Sequence, residues 1–355
     1  MIYVLKQFDM PLLRFSATTD TSEPEIEILW HDPDHADKLP LDLQLTPESL
    51  SKWLRPRPIP KNRAYVHSLL AKCGLNLNRP MSIINVCKAL SLNDCYWVAE
   101  DGDDSSFDKI NLYDNPFSNV LAALAFTGYG SSIRSSMTSS PEFTTNGMLR
   151  KCWRRISGKI YLYKGGTDGA ANAGNEPYSE FYAAQVAQAM GIQAIPYNLS
   201  KWKGTLCSTC ELFTDKEHAF LPVGRLVTHG GFKAVTEYYQ QLGPKYVSAL
   251  GDMIILDALI CNVDRHYGNF GFLIDNQTNQ IVAPAPLFDH GNSLFNFAGQ
   301  DAWESDSALE EYIDTLQPSV YDDFLGTAKA VLTPELREKL RHLLNFKFKK
   351  HSRYN

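Results

Sequence analysis

The sequence predicts an α+β protein with two lobes, and three observations lead to this prediction. The first 125 or so residues mix short strand-like runs with helical stretches, and a Ser- and Gly-rich segment at Thr127–Ser140 then interrupts the chain. Beyond that segment, a strand, a helix and further strands precede a series of long helices. A β-rich part followed by an α-rich part is typical of the α+β class. The length of 355 residues also suits two domains of about 150 residues each.

Composition and charge exclude several classes of protein. Apolar residues make up 44% of the chain and the 22 glycines and 19 prolines are an ordinary number, which excludes fibrous and disordered chains. The net charge of −6, with no basic face, argues against direct binding of nucleic acid. No apolar run approaches the roughly 20 residues of a membrane span, and Met1–Leu13 is too short and too polar for a signal peptide. We therefore expect a folded cytoplasmic protein without a membrane partner.

The sequence divides the chain into three regions. Residues 1–126 are predicted to form an N-terminal accessory region, residues 127–213 a lobe rich in strands, and residues 214–355 a helical lobe. In the first region, alternation and capping residues predict strands at Ile2–Leu5, Ile26–Leu29 and Tyr96–Ala99, and helices at Thr46–Leu54 and Asn62–Cys73.

Two patterns typical of metal sites are incomplete. Cys207 and Cys210 have the spacing of half a zinc site, but no second pair or histidine partner follows at the required distance. The acidic run Glu100–Asp104 lacks the spacing and the closing glutamate of a calcium-binding loop. We interpret the first as two thiols at the end of a strand and the second as a solvated turn. The odd total of seven scattered cysteines indicates reduced thiols.

The segment from Leu256 to Ile274 carries the strongest chemical pattern. An apolar helix runs into a polar turn, and an apolar strand follows the turn. Within the turn, Asp264 and Asn269 have the spacing of the catalytic loop of protein kinases. In that loop the aspartate accepts the proton of the substrate hydroxyl, and the asparagine holds a magnesium ion. The spacing alone is weak, because a chain of this length contains roughly one such pair by chance.

A second acidic turn strengthens this interpretation. Asp289 lies twenty residues after Asn269, in the sequence Asp-His-Gly, and it follows a short strand predicted at Gln280–Ala283. Kinases place their magnesium-binding Asp-Phe-Gly in a turn of this kind, with phenylalanine where this chain has His290. On its own, Asp289 would be interpreted as an ordinary turn aspartate.

A lysine and a glutamate upstream are candidates for an ion pair that positions the phosphates of a nucleotide. Lys159–Lys164 alternates with period two, so Lys164 shares a face with two aliphatic side chains and requires an anionic partner there. Glu180 lies in a helix predicted at Tyr178–Met190, and alanines follow it at helical spacing, which lets the helix approach a sheet closely. We expect Glu180 to contact Lys164. A snorkelling edge lysine and a solvated glutamate are the alternatives.

In their order and spacing, these segments resemble the HipA-like serine/threonine kinases. The resemblance covers roughly Ser140 to Phe295, and more loosely the first 125 residues. It assigns catalysis to Asp264, His266 and Lys164, with His266 bracing the catalytic loop, and magnesium binding to Asn269 and Asp289. It assigns nucleotide binding to Lys164 with its partner Glu180, to Glu211 and Phe213 of a hinge that meets adenine, and to Thr144, Gly147 and Lys151 of a phosphate loop.

The resemblance implies an ATP- and magnesium-dependent kinase that phosphorylates a serine or threonine of a protein. HipA-like proteins often act as toxins with an antitoxin-type partner, so the resemblance raises the expectation of such a partner, and the sequence leaves the toxin role open. A further implication is a self-limiting switch, in which the phosphate loop is autophosphorylated and ejected. Thr144 stands where the family has the modified serine, and Ser139 and Ser140 are the alternative sites.

Two other functions remain open. The sequence Asp-Arg-His-x-x-Asn from Asp264 to Asn269, with a later Asp-x-Gly, also resembles the catalytic and metal-binding segments of phosphoinositide kinases, which predicts a lipid or small-molecule acceptor. No basic cluster that would face a membrane accompanies these segments, which argues against a lipid. A pseudokinase that binds nucleotide as an interaction module is the third alternative. It is disfavoured because every charged catalytic position is occupied.

Overall fold

A computed structural model of the protein describes residues 1–131, 140–169 and 173–354, which form eleven strands and twelve α-helices within these ranges. The strands are β1 (Ile2–Gln7), β2 (Met10–Ala17), β3 (Ile26–His31), β4 (Tyr96–Glu100), β5 (Lys151–Ile156), β6 (Lys159–Gly165), β7 (Asn198–Trp202), β8 (Thr205–Glu211), β9 (His218–Pro222), β10 (Gly271–Asp275) and β11 (Gln280–Pro284). The helices are α1 (Pro47–Leu54), α2 (Val66–Lys72), α3 (Pro80–Cys87), α4 (Phe107–Ile110), α5 (Asn119–Thr127), α6 (Glu176–Met190), α7 (Val223–Leu226), α8 (Gly231–Leu242), α9 (Pro244–Ile260), α10 (Asp306–Thr315), α11 (Phe324–Val331) and α12 (Pro334–Arg341).

The strands form three sheets, with the orders β3-β2-β1-β4, β5-β6-β8-β7 and β11-β10-β9. The ladders β1–β2, β1–β4, β2–β3 and β7–β8 are antiparallel. Groups of strands and groups of helices follow one another along the described ranges, and these four ladders join strands that are antiparallel. This arrangement is the α+β class, so the predicted fold class is confirmed.

The contacts within the chain group it into two compact units. The first unit comprises Met1–Tyr163, Thr214–Phe220 and Ile274–Ile281, and the second comprises Lys164–Phe213, Leu221–Leu273 and Val282–Asn355. The region boundaries after residues 126 and 213, drawn from the sequence, stay predictions.

The first unit contains the sheet β3-β2-β1-β4, whose three predicted strands are all present. Leu5 on β1 pairs with Leu13 on β2 and with Val98 on β4. These three side chains are buried in one cluster together with Trp53 of α1. The alternation of the strands therefore places one face of the sheet in the core, as a period of two requires.

Both helices predicted in this unit are present, but one begins later than expected. α1 begins where its capping residues predict, because Thr46 Oγ1 accepts a hydrogen bond from Ser49 N at 3.1 Å. The helix predicted to begin at Asn62 begins instead at Val66, so the predicted start was wrong. The physical reason is Tyr65, whose φ of +60° is incompatible with a right-handed helix.

A buried ion pair joins the residues just before α2 to the turn that precedes β5. Arg63 Nη2 lies 3.2 Å from Glu142 Oε2, and neither side chain is more than 1% exposed. Arg63 also donates to the carbonyl oxygens of Thr145 at 2.8 Å and Lys151 at 2.5 Å, and Glu142 Oε1 accepts from Trp153 N at 2.7 Å. Burial outweighs the attraction of Arg63 and raises the pKa of Glu142 to about 7.

The second unit contains the antiparallel pair β7–β8 and the longer helices. α6 ends at Gly191, whose φ of +69° is the left-handed conformation that glycine adopts easily at a helix end. α9 buries nine of its 17 residues, including Leu250, Met253 and Leu256, and with them the carboxylate of Asp257. Neither α9 nor any other helix of the described ranges is both long and apolar enough to cross a membrane.

Glu142 makes stability depend on pH. Its pKa is raised by folding, so its contribution is fully present below about pH 4.5 and is lost as the pH rises through about 7. We expect the free energy of unfolding of the wild type to fall over this interval, by up to about 1.4 kcal/mol per pH unit, relative to Glu142→Gln. Urea unfolding at about pH 5, 6 and 7 measures the two slopes. Glu25→Gln, at an exposed position, should follow the wild type, and parallel curves for Glu142→Gln and wild type would contradict the assignment.

Candidate functional site

Lys164 and Glu180 form a buried ion pair in the second unit. Lys164 lies near the end of β6 and Glu180 in the second turn of α6, and Lys164 Nζ donates to Glu180 Oε1 at 2.8 Å. Their side chains are 10% and 1% exposed. Burial lowers the pKa of Lys164, but the carboxylates of Asp289 and Glu180 together outweigh burial and raise it above its ordinary value. The contact expected from the sequence is therefore present, and Lys164 is a buried cation at neutral pH.

Asp289 completes a group of three charges. Lys164 Nζ also contacts Asp289 Oδ1, and the side chain of Asp289 is 35% exposed. Asp289 has a φ of +60°, and its backbone N–H donates to the hydroxyl of Tyr197 at 3.1 Å. Burial raises the pKa of Glu180, and Asp289 adds to this shift while Lys164 opposes it. With both carboxylates ionised, the group carries a net charge of −1, and the carboxylate of Asp289 is the one that reaches solvent.

The residues after Asp289 hold Glu180 from the other side. His290 N donates to Glu180 Oε2 at 2.7 Å, so both oxygens of the buried carboxylate accept hydrogen bonds. A Cβ on Gly291 would lie 3.3 Å from Glu176 Cβ and 3.5 Å from Lys164 Nζ. The glycine of Asp-His-Gly thus allows the turn to approach the ion pair closely.

Asp264 lies in the turn after α9, with its carboxylate exposed. The buried side chain of Asn262 shapes this turn, because it donates to Asp257 Oδ1 at 2.9 Å and accepts from Asp264 N at 3.2 Å. Asp264 Oδ2 accepts a hydrogen bond from Asn292 Nδ2 at 2.9 Å. Because Asn292 lies three residues after Asp289, this contact joins the two acidic turns.

His266 and Asn269 close the same turn. The exposed ring of His266 accepts a hydrogen bond from Gly268 N through Nδ1 at 3.1 Å. The carbonyl oxygen of His266 accepts from Asn269 N at 2.8 Å, and Asn269 is 5% exposed. These contacts are those of a histidine that braces the turn, and its role in catalysis stays a prediction.

The predicted hinge residues lie at the end of β8 and just after it. Glu211 is the last residue of that strand. The ring of Phe213 packs against Phe288, with centroids 5.5 Å apart and planes inclined by 36°. Because Phe288 immediately precedes Asp289, the aromatic residue of the hinge lies close to the acidic turn. The contact of the hinge with adenine stays a prediction.

The predicted phosphate loop belongs to the first unit, whereas the residues described above belong to the second. Thr144 is 8% exposed, and its hydroxyl donates to Pro141 O at 3.4 Å. Gly147 has a φ of +93°, and the ammonium of Lys151 folds over it and donates to Asn146 O at 2.9 Å. A Cβ at Gly147 would displace this ammonium from its position over the turn. The structure therefore brings Thr144, Gly147 and Lys151 into one turn, and their contact with phosphate stays a prediction.

Ser139 and Ser140 are the alternative sites of autophosphorylation. Ser139 lies outside the described residues, as do the other serines and threonines between residues 132 and 139. Ser140 is 1% exposed, and its hydroxyl accepts from Glu142 N at 3.4 Å. Both Thr144 and Ser140 are therefore buried where the family switch would require a kinase to reach them.

Sequence reasoning missed Arg265, which lies next to Asp264. Its side chain is fully buried, and Nε and Nη2 pair with the two carboxylate oxygens of Asp257 at 2.9 Å each. A signal existed, because Asp257 places a charge within the apolar helix α9 and a buried carboxylate requires a cation. Asn292 was also missed, since no spacing predicts its contact with Asp264.

His290 is neutral and has a defined tautomer. Its ring is fully buried, and Nδ1 lies 3.0 Å from Arg265 Nη2. Because a guanidinium only donates, Nδ1 accepts and the ring proton is on Nε2. Burial and the charge of Arg265 hold the pKa of His290 well below its ordinary value.

Asn269 and Asp289 are the candidate magnesium ligands. Within the described ranges, no group of three or more His, Cys, Asp or Glu side chains is placed to hold a metal ion. Magnesium is usually bound by one or two carboxylates together with phosphate oxygens and water. An amide oxygen from Asn269 and the half-exposed carboxylate of Asp289 therefore fit magnesium that is bound together with a nucleotide.

Comparison with known proteins relates the chain to kinases. No protein-family model matches it. The serine/threonine-protein kinase CtkA of Helicobacter pylori is 25% identical to it over 135 residues, which is 34% of this chain and 41% of that kinase. The chain thus matches less than half the length of this curated relative.

Two solved structures are also similar. The H. pylori proinflammatory kinase CtkA has a TM-score of 0.44 at 18% identity and covers 56% of this chain and 84% of its own. HipA of Shewanella oneidensis MR-1, solved with HipB and operator DNA, has a TM-score of 0.49 at 13% identity and covers 96% of this chain and 97% of its own. The sequence match is thus to a serine/threonine-protein kinase, which is the class of enzyme that the motifs predicted.

The contact between Lys164 and Glu180 can be tested by a double-mutant cycle. Removal of Lys164 leaves Glu180 as an uncompensated buried charge, which costs about 3–5 kcal/mol of unfolding free energy, whereas removal of Glu180 leaves Lys164 paired with Asp289 alone. We therefore expect the Lys164→Ala/Glu180→Ala double variant to be less destabilised than the sum of the single variants, by about 1–3 kcal/mol, in urea unfolding.

The control for this cycle is Lys159, at the exposed end of the same strand. Lys159→Ala and Glu180→Ala should add without coupling. Additivity for the Lys164 cycle would show that the two side chains do not interact.

Proposed function

We propose that the protein transfers the γ-phosphate of ATP to a serine or threonine hydroxyl of a protein substrate. The observation that carries this proposal is Lys164, a buried cation held between the carboxylates of Glu180 and Asp289. Such a fixed ammonium is suited to neutralise phosphate charge, because it needs no reorganisation when the charge arrives. The sequence similarity to a serine/threonine kinase supports the same chemistry.

In this proposal, Asp264 accepts the proton of the acceptor hydroxyl. Asn292 holds Oδ2 of its carboxylate, which orients Oδ1 for the hydroxyl, and the exposed position admits a substrate. As the proton passes to Oδ1, the hydroxyl oxygen bonds to the γ-phosphorus. The bond between that phosphorus and the β,γ-bridging oxygen breaks, and ADP leaves.

The remaining residues position charge. Magnesium, when bound at Asn269 and Asp289, supplies positive charge to the β- and γ-phosphates. Lys164, oriented by Glu180, neutralises the α- and β-phosphates. The hinge residues and the phosphate loop keep the roles that the resemblance assigns to them.

The acceptor class can be tested directly. The protein is incubated with ATP labelled in the γ-phosphate, a cell extract and vesicles that contain phosphoinositides, and the label is then separated into protein and extractable lipid. The proposal expects label in protein. Label in lipid would support the phosphoinositide-kinase alternative, and nucleotide binding without transfer to either fraction would support a pseudokinase.

A toxin role with an antitoxin-type partner is a proposal from the family resemblance, and a cytoplasmic location stays a prediction from composition. We expect expression of the wild type to slow growth of host cells, because a toxin kinase inactivates a host protein. The Asp264→Asn variant, produced at the same level, should not slow growth. Equal growth of the two strains would argue against a toxin.

Asp264 and Asp289 should both be required for transfer. We expect Asp264→Asn and Asp289→Asn each to lower the rate of phosphoryl transfer by about 100-fold or more, because each removes a group that acts in the transition state. Asp289→Asn should also weaken magnesium-nucleotide binding in calorimetry, whereas Asp264→Asn should largely preserve it.

The matched control is Asp314→Asn, at an exposed position on α10, which should behave as the wild type. Wild-type turnover by either Asp264→Asn or Asp289→Asn would disprove the assignment of that residue.

The proposed autophosphorylation has its first site at Thr144. A phosphate there adds about −1.5 to −2 charges at neutral pH and repels the phosphates of ATP. Because Thr144 is buried, modification requires the turn to open. We expect mass spectrometry to find phosphate between residues 131 and 145 in the active protein and none in Asp264→Asn.

A phosphate-mimicking variant tests the consequence. Thr144→Glu should bind ATP more weakly than the wild type, whereas Ser157→Glu, in the exposed turn between β5 and β6, should bind it equally well. If Thr144→Glu bound ATP as tightly as the wild type, modification of this residue would not be the switch.

A further inference from the structure

One buried guanidinium contacts three segments of the second unit. Arg265 is 0% exposed and pairs with both carboxylate oxygens of Asp257 on α9 at 2.9 Å each. It donates through Nη1 to Phe288 O at 2.6 Å and to Asn269 O at 3.4 Å, and through Nη2 to His290 Nδ1 at 3.0 Å. All three nitrogens of the guanidinium therefore donate to acceptors, and these acceptors belong to a helix and to both acidic turns.

The acceptors of Arg265 lie next to the groups proposed to react. Phe288 and His290 flank Asp289, and Asn269 is itself a proposed magnesium ligand. Asp264 is the neighbour of Arg265 in the chain, with its carboxylate exposed where the guanidinium is buried. Arg265 is thus buried beneath the candidate site, and it holds the backbone of the two turns that carry the reactive side chains.

Hydrogen bonds continue from Arg265 to the buried lysine. Arg265 donates to the ring of His290, the backbone N–H of His290 donates to Glu180 Oε2 at 2.7 Å, and Glu180 Oε1 accepts from Lys164. Each of these four side chains is at least nine-tenths buried or fully buried. A displacement of the guanidinium therefore displaces His290 and, through it, the partner of Lys164.

A lysine cannot reproduce these contacts. An arginine presents donors in a planar fork that meets a carboxylate with two parallel hydrogen bonds and still reaches other acceptors. A lysine ammonium is a compact group with three donors, and it can retain the charge opposite Asp257 without bridging to Phe288 and His290. Replacement of Arg265 by lysine therefore separates the effect of the positive charge from the effect of the planar guanidinium.

We propose that Arg265 is a positioning residue that sets the separation of the two acidic turns, and with it the geometry of magnesium binding between Asn269 and Asp289. Arg265 does not touch the substrate. This inference rests on the proposed kinase function and adds to it a residue outside the set that the motifs identified. Mutation of groups that hydrogen-bond to metal ligands and orient them typically lowers metal affinity or activity by about 10–100-fold.

The experiment compares Arg265→Lys, Arg265→Met and the wild type as full-length proteins. Three quantities are measured for each: kcat for phosphoryl transfer, the magnesium concentration that gives half-maximal rate, and the melting temperature. We expect both variants to lower kcat and to raise the half-maximal magnesium concentration, each by about 10-fold or more. Arg265→Lys should recover part of the melting temperature that Arg265→Met loses, because it keeps a charge opposite Asp257, without recovering the magnesium response.

A matched control is an ion pair that joins α12 to the same helix, α9. Lys339 Nζ donates to both carboxylate oxygens of Asp252 on α9, at 2.6 and 2.7 Å. Lys339→Met removes this ion pair away from the acidic turns, so it should lower the melting temperature and leave kcat and the magnesium response of the folded protein unchanged. A change in the magnesium response of Lys339→Met equal to that of Arg265→Lys would mean that any loss of stability produces the effect, and would overturn the proposal.

A second variant covers the case in which substitution of Arg265 prevents folding. His290→Phe keeps a ring at this position and removes only one acceptor of the guanidinium. We expect it to fold and to raise the half-maximal magnesium concentration by about 5-fold or more. An unchanged magnesium response in folded His290→Phe, or in folded Arg265→Lys, would overturn the proposal.

The wild type separates failure of this inference from failure of the proposed function. If the wild type transfers phosphate and the variants respond to magnesium as it does, the positioning role is wrong and the kinase function stands. If the wild type shows no magnesium-dependent transfer to any acceptor, the proposed function fails and the inference fails with it.

Discussion

The burial of the Lys164 ammonium is the constraint on which the site depends. A cation removed from water is tolerated only when anionic partners reach it, and the loss of one partner is strongly destabilising. The two partners come from different parts of the second unit, Glu180 from α6 and Asp289 from the turn that follows β11. The strand, the helix and the turn must therefore be placed together before any of the three charges is stable. The same placement presents the carboxylate of Asp289 to solvent, where a metal ion can reach it.

Buried polar contacts, and not regular secondary structure, shape the two acidic turns. Cys261 and Asp289 both have positive φ angles, of +49° and +60°, which non-glycine residues adopt only with support from their surroundings. Asn262 supports the first turn by bridging Asp257 and the backbone of Asp264, and a tyrosine hydroxyl supports the second. The residues proposed to react therefore lie on turns, and the buried groups that hydrogen-bond to these turns hold them in place.

In the first unit, buried polar contacts also shape the candidate phosphate loop. Arg63, from the region predicted to be accessory, donates to carbonyl oxygens on both sides of Gly147 and pairs with Glu142. The N-terminal region is therefore part of the packing that shapes this loop. The boundary predicted after residue 126 stays a prediction, and Arg63 and Glu142 form a buried ion pair from either side of it.

Local regularities in the sequence were sufficient for part of this structure. The period-two alternation of Lys159–Lys164 predicted a strand that contains Lys164, and the alanines after Glu180 predicted a helix that approaches a sheet closely, so the contact of the two charges was expected. Both follow from repeats that a single segment contains. The roles of Arg265 and Asn292, the tautomer of His290 and the late start of α2 were decided only by the tertiary structure. Each depends on which groups meet across turns after folding, and the pairing of two buried polar groups leaves no period in the sequence from which it can be predicted.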